Sequence, residues 1–159
     1  MSDGRTNPPD AADHLGQAAG GITGVIAGAA IGATAGPIGS LLGGLAGAIG
    51  GWWSGRAIAE AAQDITEADE RFYREDFDRR ASSPSDYDHA RRAYYLGDVA
   101  TANPDYSDRA FDEVEPELAR GWNADGAYCE WPAVRGYAAI GFTHGRERRR
   151  RRRDQVKSP

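Results

Sequence analysis

A single cysteine, Cys129, stands among 159 residues. That scarcity excludes an intramolecular disulfide, a cysteine-built zinc cage and a CxxC redox pair. Histidine is almost as sparse. His14, His89 and His144 fall in no HxxxH or HExxH pattern, so no histidine metal site and no cofactor are expected. No phosphate-loop motif occurs, and no run alternates in the way a half-buried strand requires. The first fourteen residues lack a basic region followed by an apolar core, so no cleavable signal peptide is expected there. Most telling is the absence of charge from Leu15 to Gly55, a stretch in which no Asp, Glu, Lys or Arg appears.

That stretch is filled with glycine on a fixed beat. Gly20, Gly24, Gly28, Gly32 and Gly36 fall every fourth residue, and after Pro37 the beat restarts at Gly39, Gly43, Gly47, Gly51 and Gly55. Period four puts each set on one face of a helix, with Ile22, Val25 and Ile26, then Leu41, Leu42, Leu45 and Ile49, on other faces. Gly36-Pro37 ends one helix and starts the next, which predicts a hairpin. The two arms would be roughly 33 and 28 Å long at about 1.5 Å per residue, close to a hydrocarbon core of about 30 Å. Trp52, Trp53 and Arg56 stand where an aromatic interface anchor and a first aqueous charge belong. In water, ten glycines in helices would cost on the order of 10 kcal/mol relative to alanine. Lipid removes the coil alternative, and glycine faces then permit close helix contact. A membrane hairpin is therefore expected, with a helical hairpin sheathed by the later helices as the alternative.

Charge is partitioned along the rest of the chain. Residues 1–14 carry one Arg against three Asp and read as a disordered leader, residues 56–145 carry ten Arg against nineteen acids, and residues 146–159 carry eight bases against two acids. The acidic part predicts a module of about four helices: a continuation from Arg56 to about Phe72 and beyond, a third helix over Asp86 to Ala102, a fourth over Asp112 to Trp122, and a fifth from Pro132. In the last, Val134, Tyr137, Ala138, Gly141, Phe142 and Gly145 match one helical face. Glu67/Arg71, Glu70/Arg74, Glu75/Arg79 and Asp76/Arg80 are acid-first pairs four apart on the first of these helices. Tyr73, Tyr87, Tyr94, Phe111, Trp122, Trp131, Tyr137 and Phe142 are the expected aromatic core.

The paired glycine beats resemble the two-transmembrane glycine-zipper proteins of bacteria, a loose group that includes outer-membrane lipoproteins and surface antigens. The resemblance covers about a quarter of the chain and implies helices that self-associate. The chain departs from those lipoproteins in lacking a signal and a lipobox cysteine, so their outer-membrane address does not carry over. Asp86-Tyr87, Ala93-Tyr94, Gly97, the segment Phe111-Asp112-Glu113-Val114-Glu115 and Trp122 are similar to a motif in bacterial proteins often regarded as stress-related. It implies a recurrent small helical module and brings no catalytic residue.

Chemistry-bearing constellations are few. Asp86, Asp88 and His89 fit a helix start better than a ligand set, and Asp105, Asp108 and Asp112 lack the rhythm of a calcium loop. Cys129 has no basic neighbour that would activate it. The basic end is the second strong signal: Arg146, Arg148, Arg149, Arg150, Arg151, Arg152 and Arg153, with Lys157. It suits anionic lipid headgroups, nucleic acid or the protein's own acidic helices, or is a solvated end. Missing aromatics between the arginines, and the acidic body, count against a reader of bases.

The sequence thus predicts an all-α, non-enzymatic, membrane-associated protein: a glycine-zipper hairpin over 15–55, an acidic helical module over 56–145 and an Arg-rich tail over 146–159. Homo-oligomers and membrane lipid are the expected partners, possession of a small-molecule substrate is not inferred, and the expected address is the bacterial inner membrane with both termini cytoplasmic. The alternatives are a cytoplasmic nucleic-acid-associated protein using the tail and a pore-forming, toxin-like membrane peptide.

Overall fold

The structure, a computed structural model, describes residues 55–80, 86–124 and 129–157. All regular elements among them are α-helices, as the sequence predicts. They are α1 (Gly55–Gln63), α2 (Glu67–Arg79), α3 (Tyr87–Ala100), α4 (Phe111–Ala124) and α5 (Trp131–Lys157). None of these is long and apolar enough to cross a membrane. Gly20 to Gly51 of the two glycine beats, with Trp52 and Trp53, lie outside the described residues, as does the side chain of Arg56. Gly55, the last beat position, opens α1.

α3 is the element the others surround. From Ala93 to Ala100 every residue is buried, so this helix has no solvent face over its second half. Its start is set by Asp86, whose side chain accepts a hydrogen bond from the His89 N–H at 3.0 Å, the cap the sequence suggests. α5 lies along it. Both backbones come together at glycine: a Cβ on Gly97 would overlap the Ala138 carbonyl oxygen and stand 2.7 Å from the Phe142 nitrogen, while one on Gly141 would overlap the Tyr94 carbonyl. The whole predicted stripe of α5, Val134, Tyr137, Ala138, Gly141, Phe142 and Gly145, is buried. α4 packs on α5 and adds Val114, Leu118 and Trp122 to the core, at spacing i, i+4, i+8.

One expected helix is two. The continuation from Arg56 breaks between Gln63 and Glu67, where Thr66 turns extended and caps α2. Its hydroxyl accepts from the Asp69 N–H at 3.3 Å, and its own N–H donates to Asp69 Oδ2 at 2.8 Å. This reciprocal box satisfies two N–H groups and makes a break at Thr66 more favourable than an unbroken helix, by about 1 kcal/mol for the cap. Side-chain pairing also departs from expectation. Asp76–Arg80 forms at 2.9 Å, but Arg74 pairs with Asp78, Arg79 with Asp76, and Glu70 leaves its own helix for Arg91 on α3.

Of the expected aromatic core, Tyr73, Tyr94, Trp122, Trp131, Tyr137 and Phe142 are buried, and Tyr87 and Phe111 are half-buried. Tyr95 and Tyr106 are buried as well. The tyrosines bring hydroxyls that need partners, and carboxylates at the rim supply them. Tyr95 donates to Glu70 at 2.7 Å, Tyr94 to Asp76 and Tyr106 to Glu117. Burial, reinforced by those carboxylates, pushes all three phenols upward, so they remain hydrogen-bond donors at any physiological pH.

Candidate functional site

The Arg-rich end is not a segment apart. α5 continues without a break from Trp131 to Lys157, about 40 Å at 1.5 Å per residue, so residues 146–157 carry on the helix whose first half fills the core. Consecutive arginines on a helix must point in different directions, about 100° apart. The run is thereby divided into an inward and an outward set.

The inward set meets two aspartates. Asp98 on α3 is fully buried, accepting from the Tyr73 hydroxyl at 2.6 Å, from Arg148 Nη2 at 2.6 Å and from Arg149 Nη1 at 3.1 Å. Asp69 on α2 accepts from Arg148 Nη1 at 2.8 Å and faces His144 Nε2 at 2.6 Å. Arg148 therefore forks between carboxylates of two different helices, a task for a planar guanidinium with separated N–H groups that a lysine ammonium performs poorly. Arg149 adds a bond to the Thr101 hydroxyl at 2.6 Å, and Gly145 gives the room: a Cβ there would stand 2.8 Å from Asp98 Oδ1. His144 is held flat against Phe72, ring centroids 4.2 Å apart. Farther out, Arg152 reaches Asp64 at 2.8 Å, in the turn that follows α1.

Two guanidinium groups against two carboxylates leave this interior balanced. Burial by itself would raise the Asp69 carboxyl, but the bonds from Thr66, His144 and Arg148 outweigh it and hold the pKa at about 2. Tyr73 is pushed strongly upward by burial and by the Asp98 charge beside it. A buried pair of this kind contributes little net energy over an apolar substitute, yet losing one partner costs about 3–5 kcal/mol because the other charge is stranded. The network thus acts as a lock that fixes how α5 lies on α2 and α3.

The outward set faces a cleft. Arg146, Arg150, Arg153 and Lys157 recur at i, i+4, i+7 and i+11, and all line an open cleft of about 540 Å³ between the end of α5 and the loop after α3. Arg146 is positioned by the Arg109 carbonyl, to which its Nη1 donates at 2.9 Å. Arg150, Arg153 and Lys157 are exposed and have no hydrogen-bond or ion-pair partner among the described residues. Arg151 lies on another face and pairs with Glu147 at 3.2 Å. The chain matches no protein-family model, no curated protein and no solved structure.

Among the described residues no group of three or more His, Cys, Asp or Glu could hold a metal ion. Cys129 is half-buried, and burial and the Asp86 charge push its thiol upward. Asp98 and Asp69 were not singled out from sequence. Their signals existed: Asp98 is the lone charge within the apolar run from Tyr94 to Ala102, and Thr66-Glu67-Ala68-Asp69 has capping-box spacing.

Proposed function

We propose that this chain is a non-enzymatic, membrane-associated protein that anchors and self-associates through residues 15–55 and carries the helical body as a cytoplasmic head. The observation that carries the reading is the charge-free stretch with glycine every fourth residue in two registers, matched in length to a bilayer. Gly55, the last glycine of the second register, is also a residue of α1, so the proposed anchor and the head meet in sequence at that residue. The inward turn of Arg148 and Arg149 lends support by a second route, because it withdraws two bases from any nucleic-acid partner and assigns them to the head's own packing, while Arg152 is engaged by Asp64 at the surface. The reading assigns the inner membrane with both termini cytoplasmic, and no cofactor or small-molecule substrate. Alkaline carbonate extraction of membranes from expressing cells tests it. The protein is expected in the pellet, and its complete release would overturn the anchoring role.

A further inference from the structure

We infer that the outward face of α5 is a binding cleft for phosphate groups, with Arg146, Arg150, Arg153 and Lys157 as its ligands and a bilayer headgroup layer as its physiological source. The inference rests on the membrane-attached reading for the source, while the cleft stands on its own geometry. On a helix the four bases fall within about 60° of one another and extend over roughly 16 Å, one straight row. Like charges spaced about 6 Å apart repel, and among the described residues three of the four have no acceptor; of the carboxylates that also line the cleft, Asp108, Glu147 and Asp154, Glu147 is paired with Arg151. Arg149 also lines the cleft, and its Nη2 is buried with no hydrogen-bond partner among the described residues, although Nη1 of the same guanidinium has several. That leaves one N–H group of a cleft-lining guanidinium unsatisfied, which is unfavourable.

Three features favour a headgroup layer over a nucleic acid. A straight row on one rigid helix matches a plane of phosphates. Among the described residues no exposed aromatic ring borders the row for base stacking, since Phe142 beneath Arg146 is buried. The row also shares α5 with Arg152, which contacts Asp64 just past α1, the helix that leads in from the proposed anchor.

The test uses the full-length protein in neutral maltoside detergent, titrated with pyrophosphate by calorimetry, so that it does not depend on insertion. The wild type is compared with the fourfold variant R146Q/R150Q/R153Q/K157Q and with a control losing equal charge elsewhere, R71Q/R74Q/R79Q/R120Q. The expected result is binding that the fourfold variant weakens by about tenfold or more and the control leaves near wild type. Equal weakening in both variants, or no binding by the wild type, overturns the cleft. Should circular dichroism show the fourfold variant unfolded, R150Q and R153Q singly serve the same comparison, each expected to weaken binding severalfold. In a second arm the same proteins are floated with vesicles of phosphatidylcholine alone or with phosphatidylglycerol. Recovery that rises with phosphatidylglycerol for wild type and control, and not for the fourfold variant, supports the lipid source. A cleft that binds pyrophosphate but ignores phosphatidylglycerol reassigns the source to free phosphate. A single-stranded RNA oligonucleotide that binds the cleft more tightly than the vesicles do overturns the lipid assignment.

Discussion

Replacing Asp98 by asparagine removes one negative charge and keeps the shape of the side chain. Arg148 and Arg149 then share only Asp69 as a carboxylate, and Asp69 lies on the Arg148 side of the network, bonded at 2.8 Å to Nη1. Arg148 is 13 % exposed and Arg149 14 %, so neither guanidinium recovers much hydration. Stranding buried charge in this way costs about 3–5 kcal/mol. A body of this size holds about 5–15 kcal/mol in total, so the loss is a large fraction of its stability. At about 4–8 °C per kcal/mol, Tm should fall by at least about 12 °C. The assay is thermal and urea unfolding of full-length protein followed by far-UV circular dichroism, with a cycle that includes R148M and D98N/R148M. Because the second change removes the stranded charge, the double variant should be more stable than the sum of the single effects predicts, by about 1 kcal/mol or more. D98N within about 1 kcal/mol of wild type, or strict additivity in the cycle, would refute the view that these buried charges lock α5 in place.

Two further expectations follow from the same packing. Gly97→Ala and Gly141→Ala place a methyl group on the backbone of the facing helix and should each destabilise by more than the 1–3 kcal/mol usual for overpacking, whereas Gly136→Ala, whose Cβ meets only Arg80 Nη1 at 3.6 Å, should be neutral or stabilising by up to about 1 kcal/mol in urea unfolding. Asp69, with its folded-state pKa of about 2 below the ordinary 3.8, contributes stability that is complete above about pH 4 and lost as pH falls through 2. Partly screened by water, that contribution is about 1–2 kcal/mol, and a pH series of urea midpoints should show the acid limb become shallower in D69N.

Local pattern made much of the head legible. Spacing places the core stripe of α5 and the cap of α3 correctly, because both depend on neighbours three or four residues away. It failed at Thr66, where Ile58, Ala61, Ala62, Ile65 and Phe72 keep apolar rhythm across a real break and the capping signal was outweighed. The candidate site was legible as composition only. A run of arginines announces positive charge, but the partners of Arg148 lie 50 and 79 residues away, at Asp98 and Asp69, and nothing local names them.

The sequence alone determines that the chain is helical in its described part, that charge is withheld from residues 15–55 and concentrated at the far end, and which face of each helix is apolar, since each of these follows from residue type and period. Only the tertiary structure decided what the arginines do. Helical rotation of about 100° per residue separates neighbours in the run, and the close crossing at Gly97 and Gly141 brings one set against buried carboxylates and leaves the other facing solvent.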